Sequence, residues 1–191
     1  MEICVYGASS NDIRGEYLEA AEKLGRLIAQ RGHGLVFGGG AQGLMGATVR
    51  GVDSQNGRSL GVAPSFFQVD GVLFERCTEF LYTETMRQRK QIMENRSDAF
   101  VMVPGGIGTF EEFFEILTLK QLGRHNKPIA ILNTCGYYDP MLKMLEAAVN
   151  EGFMKRACLS LYGVFDEPAA LLDYLEEYDG GALDVRHLKN I

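Results

Sequence analysis

Ala99-Phe-Val-Met-Val-Pro-Gly-Gly-Ile-Gly-Thr-Phe-Glu-Glu112 is the stretch whose reading decides the fold. Its first five residues form an unbroken, valine-rich apolar run, of the length and kind that suits a strand buried on both faces. Pro104 ends that strand, because proline has no N–H for a neighbouring chain. Gly105, Gly106 and Gly108 follow; without a Cβ they let a ligand approach the main chain closely. A helix is expected from Thr109, with Phe110, Phe113, Phe114 and Leu117 at helical spacing. Strand, glycine turn and helix start leave several N–H groups aimed at one spot with a partial positive charge behind them. Such a spot suits an anion, most simply a phosphate.

Thr109 and Glu112 also have the spacing of a capping box, which would occupy both side chains without any ligand. That reading leaves three glycines in four positions unexplained. On a helical projection Glu112 falls at the margin of the apolar stripe, while Glu111 and Glu115 point away. Glu112 is therefore the acid best placed to look into a site at the end of the sheet.

Outward from this stretch the chain alternates. Strands are expected at 2–7, 34–38, 59–63, 79–82, 128–132 and 162–165. Helices are expected at 17–30, from the second glycine turn to about 54, and at 85–95, 140–150 and 168–177. Residues 65–76 lack periodicity and read as a loop. Strands alternating with helices imply parallel pairing with right-handed crossovers, hence an α/β, doubly wound, Rossmann-like and mostly parallel sheet with helices on both faces. No linker or internal repeat divides it, so residues 1–178 read as one domain and 179–191 as a short tail. In such folds ligands sit beyond the carboxyl ends of the strands. The small-residue turn Gly7-Ala8-Ser9-Ser10 after the first strand borders that region.

The 191 residues are 46% hydrophobic and 23% charged, the make-up of an ordinary soluble chain. No apolar run reaches the roughly 18 residues of a membrane span, and Met-Glu-Ile-Cys has no basic leader, so a cytoplasmic protein with no membrane partner is expected. A formal charge of −6 argues against a nucleic-acid surface. Cys4, Cys77, Cys135 and Cys158 are widely spaced and read as reduced, buried thiols. His33, His125 and His187 form no ligand pattern, so no metal is expected.

The second turn, Gly38-Gly39-Gly40-Ala41-Gln42-Gly43, has the letters of a dinucleotide fingerprint. That reading needs an acid at the end of the next strand, which here ends Gly61-Val62-Ala63-Pro64. Neither glycine loop runs into Gly-Lys-Ser/Thr, which excludes a triphosphate P-loop. Close packing of helix on sheet accounts for at least one of Gly43 and Gly46. In the helix at 85–95, Met86 and Met93 share a stripe and should pack inward. Arg89 and Lys90 project about 60° and 40° to either side of it, at roughly 100° per residue. A solvated basic face is the ordinary fate of such charges. Arg89, placed just before the central strand, can instead overlook the glycine turn.

Met86-x-x-Arg89-Lys90 followed by Pro104-Gly-Gly-Ile-Gly-Thr-Phe-Glu-Glu112 resembles the paired signatures of the LONELY GUY (LOG) family, cytokinin riboside 5′-monophosphate phosphoribohydrolases often labelled lysine decarboxylases. The resemblance extends through Gly38-Gly-Gly-x-x-Gly-Leu-Met-Gly46 and Gln121-Leu-Gly to Gly136-Tyr-Tyr. It implies hydrolysis of the N-glycosidic bond of a nucleoside 5′-monophosphate, without a cofactor, by a homodimer. Carried over by that resemblance, Glu112 and Arg89 are catalytic. Gly105, Gly106, Ile107, Gly108 and Thr109 take the 5′-phosphate. Lys90 adds positive charge, and Thr118, Met86, Gly40, Gly43 and Ser9 contact substrate. The chain departs from the family at Tyr6-Gly-Ala-Ser-Ser, where relatives have Cys-Gly-Ser-Ser. It also departs in 65–76, which aligns poorly with the family; Asp70 is a candidate for the acid that relatives commonly have there. A broader nucleotide nucleosidase, or a carrier of the molybdenum cofactor on a related fold, are the alternatives. Nothing marks a lysine for pyridoxal phosphate, which disfavours decarboxylation.

Overall fold

The computed structural model describes residues 1–181 and Leu188. Seven strands form one sheet: β1 (Glu2–Tyr6), β2 (Gly34–Phe37), β3 (Arg58–Pro64), β4 (Glu79–Thr83), β5 (Ala99–Met102), β6 (Ile129–Leu132) and β7 (Gly163–Phe165). Among the described residues six α-helices cover it: α1 (Gly15–Gln30), α2 (Gly43–Asp53), α3 (Met86–Asn95), α4 (Ile107–Gln121), α5 (Asp139–Asn150) and α6 (Pro168–Glu177). The strand order is β4-β3-β2-β1-β5-β6-β7, and every pair is parallel. The expected "mostly parallel" sheet is thus wholly parallel.

Residues two apart on a strand face the same side, and the sequence fills both sides with apolar groups. On β1, Ile3 and Val5 join a core beneath α1, α2 and α6. Cys4 and Tyr6 join a second core with Met93 of α3, Phe113 and Ile116 of α4, and Leu145 of α5. β5 divides likewise, Ala99 and Val101 to one side, Phe100 and Met102 to the other. Such two-sided burial explains why these strands read as continuous apolar runs rather than alternating ones.

The chain leaves β1 through α1 toward β2, whereas β5 leads through α4 to β6 on the opposite side. β1 and β5 are hydrogen-bonded neighbours, with Val5 opposite Val101. Their carboxyl ends therefore flank a crevice where the winding reverses, the place where open parallel sheets take ligands.

Element boundaries moved by a few residues at several ends. Residues 65–76 contain a short 3-10 turn at Ser65–Phe67 and then pair with the second glycine turn through an antiparallel bridge between Gly40 and Leu73. Cys4 and Cys158 are buried and Cys77 half-buried, but Cys135 is exposed, because its residue forms a left-handed turn with φ 54° on the surface. Of the expected tail, 182–187 and 189–191 lie outside the described residues. Leu188 is buried in the second core, and its carbonyl accepts from Gln121 Nε2 at 3.2 Å.

Candidate active site

A cleft of about 580 Å³ opens at the carboxyl ends of β1, β2 and β5. Three turns build its floor. The first, after β1, brings Ala8, Ser9 and Ser10; the second, after β2, brings Gly38, Gly40 and Gln42; the third brings Gly106, Ile107, Gly108 and Thr109. First and third are tied by a hydrogen bond from Ala8 N to the Pro104 carbonyl at 3.1 Å. Tyr137 and Tyr138 brace the third from behind, their hydroxyls donating to the carbonyls of Gly105 and Val103, each at 2.8 Å.

The helix after the third turn starts earlier than its sequence suggests. Gly106 is the N-cap in an extended conformation, Ile107 is the first helical residue, and no side chain caps the end. The capping-box reading of Thr109 and Glu112 is therefore overturned: Thr109 is already the third residue of the helix. The first N–H with a helical acceptor is that of Phe110, bonded to the Gly106 carbonyl at 3.0 Å. The N–H groups of Ile107, Gly108 and Thr109 have no such acceptor and open onto the cleft.

α2 ends differently. Gly43 N donates to Asn11 Oδ1 at 2.9 Å, and Leu44 N and Met45 N both donate to the Ala8 carbonyl. Its first turn is already satisfied, so it offers no seat for a pyrophosphate. Gly43 has φ 59°, and a Cβ there would run into the carbonyls of Ala8 and Ser10; one at Gly46 would run into that of Ala41. Both glycines serve close packing, and the dinucleotide reading has no place here.

Freed from capping, Glu112 turns inward. It is buried and meets Arg89, whose Nη2 lies 3.0 Å from Glu112 Oε1. The approach is an ion pair without a well-aligned hydrogen bond, and Oε1 keeps acceptor capacity to spare. Arg89 is itself buried, Nε donating to the Val62 carbonyl at the end of β3 at 3.2 Å. Its Nη1 lies 3.9 Å from the Met86 sulfur. Burial raises the Glu112 carboxyl above its ordinary value, and the Arg89 guanidinium pulls the other way. Beneath the pair, burial holds the Tyr6 hydroxyl well above the ordinary phenol range and so protonated.

Of the residues singled out in the sequence, the cleft gathers Ser9, Gly40, Met86, Arg89, Gly106, Ile107, Gly108, Thr109 and Glu112. Gly105 lies just behind it. Met93 packs inward as expected, but Met86 does not: it is 39% exposed at the cleft wall, and Arg89 fills the inward space. Lys90 stands outside the lining, its amine closed between Glu111 and Glu115. Thr118 is exposed further along α4, and Gly43 and Asp70 also lie off the lining. Sequence reasoning missed Met45, Phe67, Val72 and Leu73, which form an apolar wall. Three of these belong to the aperiodic stretch 65–76, whose hydrogen bonds run from Ala41 N to the Val72 carbonyl and from Phe74 N to the Gly39 carbonyl, both at 2.9 Å. The only signal available was an excess of apolar side chains in a segment without period.

Residues 45–175 match the family model described as "Possible lysine decarboxylase". The chain is 38% identical over 183 residues to cytokinin riboside 5′-monophosphate phosphoribohydrolase LOG of Oryza sativa subsp. japonica, a match covering 94% of this chain and 76% of that one. It is likewise 38% identical over 176 residues to LOG2 of Arabidopsis thaliana, named for the same activity, covering 92% and 83%. Among solved structures it resembles the molybdenum cofactor carrier protein of Chlamydomonas reinhardtii, with TM-score 0.70 and 24% identity over 92% of this chain and 96% of that one. It also resembles the molybdenum cofactor binding protein of Rippkaea orientalis, with TM-score 0.71 and 22% identity over 92% and 94%. At that identity the structural likeness speaks for the fold alone. The match to the family model over residues 45–175, and the plant relatives that align with nearly the whole chain, place this protein in the LOG family.

Proposed function

We propose that the protein hydrolyses the N-glycosidic bond of a nucleoside 5′-monophosphate, a cytokinin nucleotide or AMP, releasing the free base and ribose 5-phosphate. The observation that carries this reading is the buried Glu112 carboxylate, ion-paired with Arg89 but with no hydrogen bond to Oε1, one turn along the helix whose open N–H groups face the same cleft. A phosphate seated on Gly106, Ile107, Gly108 and Thr109, with Gly105 shaping the turn, places the attached ribose over Glu112. The base then extends toward Met45, Met86, Phe67, Val72 and Leu73, an apolar wall suited to a flat heterocycle.

As the bond from C1′ to the base nitrogen breaks, positive charge builds on the ribose, and a carboxylate in a dry site stabilises it. Water adds to C1′, one of its protons leaving through Glu112, whose raised affinity for protons suits it to that task. The base departs with the bonding electron pair and takes up a proton from solvent, while the one on Glu112 returns to solvent, so that one water is consumed and the carboxylate is regenerated. Arg89 stays charged and is a poor acid, so it orients Glu112 and donates hydrogen bonds to the substrate. Decarboxylation through a lysine Schiff base has no support, since no lysine among the described residues lines the cleft.

The test is incubation with AMP, isopentenyladenosine monophosphate and pyrimidine monophosphates, assaying free base and ribose 5-phosphate. Release from the adenine nucleotides supports the proposal, and release from all of them points to a broad nucleosidase. Tight binding without release of base would leave a carrier and overturn it.

A further inference from the structure

Lys90 follows Arg89 on α3, yet its side chain has a separate fate. Its amine lies against Glu111 Oε1 and is 2.7 Å from Glu115 Oε2, and the side chain is 17% exposed while those of Glu111 and Glu115 are 53% and 43% exposed. It does not line the cleft, whereas Glu111 does.

The first half of α4 thus carries three carboxylates, Glu111, Glu112 and Glu115, at the end of the helix that also offers its open N–H groups. Glu112 is met by Arg89, the only cation of the cleft lining among the described residues. Lys90 is the only ion-pair partner of Glu111 and Glu115 among the described residues. The groups facing Glu112 from β1, the Tyr6 hydroxyl and the Cys4 thiol, are neutral, since burial raises both. Without Lys90, two unmatched negative charges would stand beside Glu112, one of them at the mouth through which an anion must enter. Burial works against the charge on Lys90, and its bonds to Glu111 and Glu115 more than offset this, so the amine stays protonated.

Building on the hydrolase reading above, we propose that Lys90 is a positioning residue that never touches the nucleotide. It cancels Glu111 and Glu115, so that the open end of α4 accepts a phosphate and Glu112 stays ionised against Arg89. Direct contact between Lys90 and the phosphate is the competing role, and the two differ in what restores a lost lysine. If Lys90 is a counter-ion, removing the charges it cancels replaces it; if it is a ligand, nothing on α4 can.

Four proteins decide the matter: wild type, Lys90→Arg, Lys90→Met, and Lys90→Met combined with Glu111→Gln and Glu115→Gln, all checked for folding by thermal melting. With AMP as substrate, Lys90→Met should raise KM about tenfold, and the acid limb of its kcat/KM profile should move up by about half a pH unit. Lys90→Arg should stay within about threefold of wild type, and the triple variant should recover most of the lost KM and the original limb. A triple variant as impaired as Lys90→Met, or a Lys90→Met protein that behaves as wild type, would overturn the proposal. Should the wild type release no base from any monophosphate, the hydrolase reading falls, and the role of Lys90 is then decided by AMP affinity in the same four proteins. The same loss and recovery would uphold it, and loss without recovery would refute it.

Discussion

At Gly38 a Cβ would run into Nη2 of Arg89, which the Val62 carbonyl and Glu112 already hold. The added methyl can be relieved by moving the end of a side chain, so Gly38→Ala should melt close to wild type. Its kcat/KM should nevertheless fall by about 10–100-fold, because the guanidinium is displaced from its partner. Unchanged kinetics would show that Arg89 needs no such fixing. Glu112→Gln should hold AMP with near-native affinity while kcat drops by about 10²–10³-fold. The pH dependence has a definite sign. Only the ionised carboxylate can stabilise the ribose or accept a proton, so activity rises with pH through the Glu112 value. Burial raises that value, placing the limb above the ordinary carboxylate range. Much of this was legible in the residues: glycines, a proline and an acid at the margin of a stripe. What was not legible is that Thr-x-x-Glu is no cap here, because Gly106 is the N-cap, three residues before Thr109. Nor does a helical projection of α3 show that Arg89, rather than Met86, goes inward, since the carboxylate that draws it lies on another helix.

Among the elements, α3 brings Arg89 to the site and depends on its own first turn. Thr85 Oγ1 accepts from Gln88 N at 3.2 Å, and Gln88 Oε1 accepts in return from Thr85 N and Glu84 N. Thr85→Ala should cost about 1 kcal/mol, read as a lowered denaturant midpoint. At the last turn of α4, Lys120 is buried, its amine donating to the Lys127 carbonyl at 2.9 Å and standing 4.5 Å from the centre of the Tyr178 ring. Burial lowers its pKa to about 8 from an ordinary 10.5. Between those values the unfolded chain binds more protons than the folded one, so this group's contribution to stability rises with pH. Below about 8 both states carry the proton and the penalty of burying the charge is constant. Wild type should therefore gain on Lys120→Met between pH 8 and 10, as seen in paired chemical denaturation curves; a constant gap would contradict the assignment. Strands were visible as short apolar runs and helices as a period of 3.6, and their ends blurred where caps rather than apolar spacing decide.

For the whole molecule, alternation of strand and helix was enough to foresee a parallel sheet, while the strand order came only with the structure. Nothing local in β5 says that it returns beside β1 instead of extending the row past β4, since that choice depends on how α3 crosses the sheet. The overall charge of −6 gives another expectation. On the proposed reading the cleft draws its anion with main-chain amides and, among the described residues, one arginine, inside a chain whose net negative charge repels nucleotides at long range. Added salt screens that repulsion, so KM for AMP should stay level or fall as ionic strength rises toward about 0.2 M. A steep rise in KM would mean that a basic patch gathers the substrate. The segment after β3, pinned to the second glycine turn by the Gly40–Leu73 bridge, has a consequence of its own. It supplies Phe67, Val72 and Leu73 to the cleft yet adds no sheet strand and no α-helix. Selection can therefore rewrite this one strip, residue by residue, and on the proposed reading change which heterocycle is welcomed while Arg89, Glu112 and the third glycine turn stay untouched.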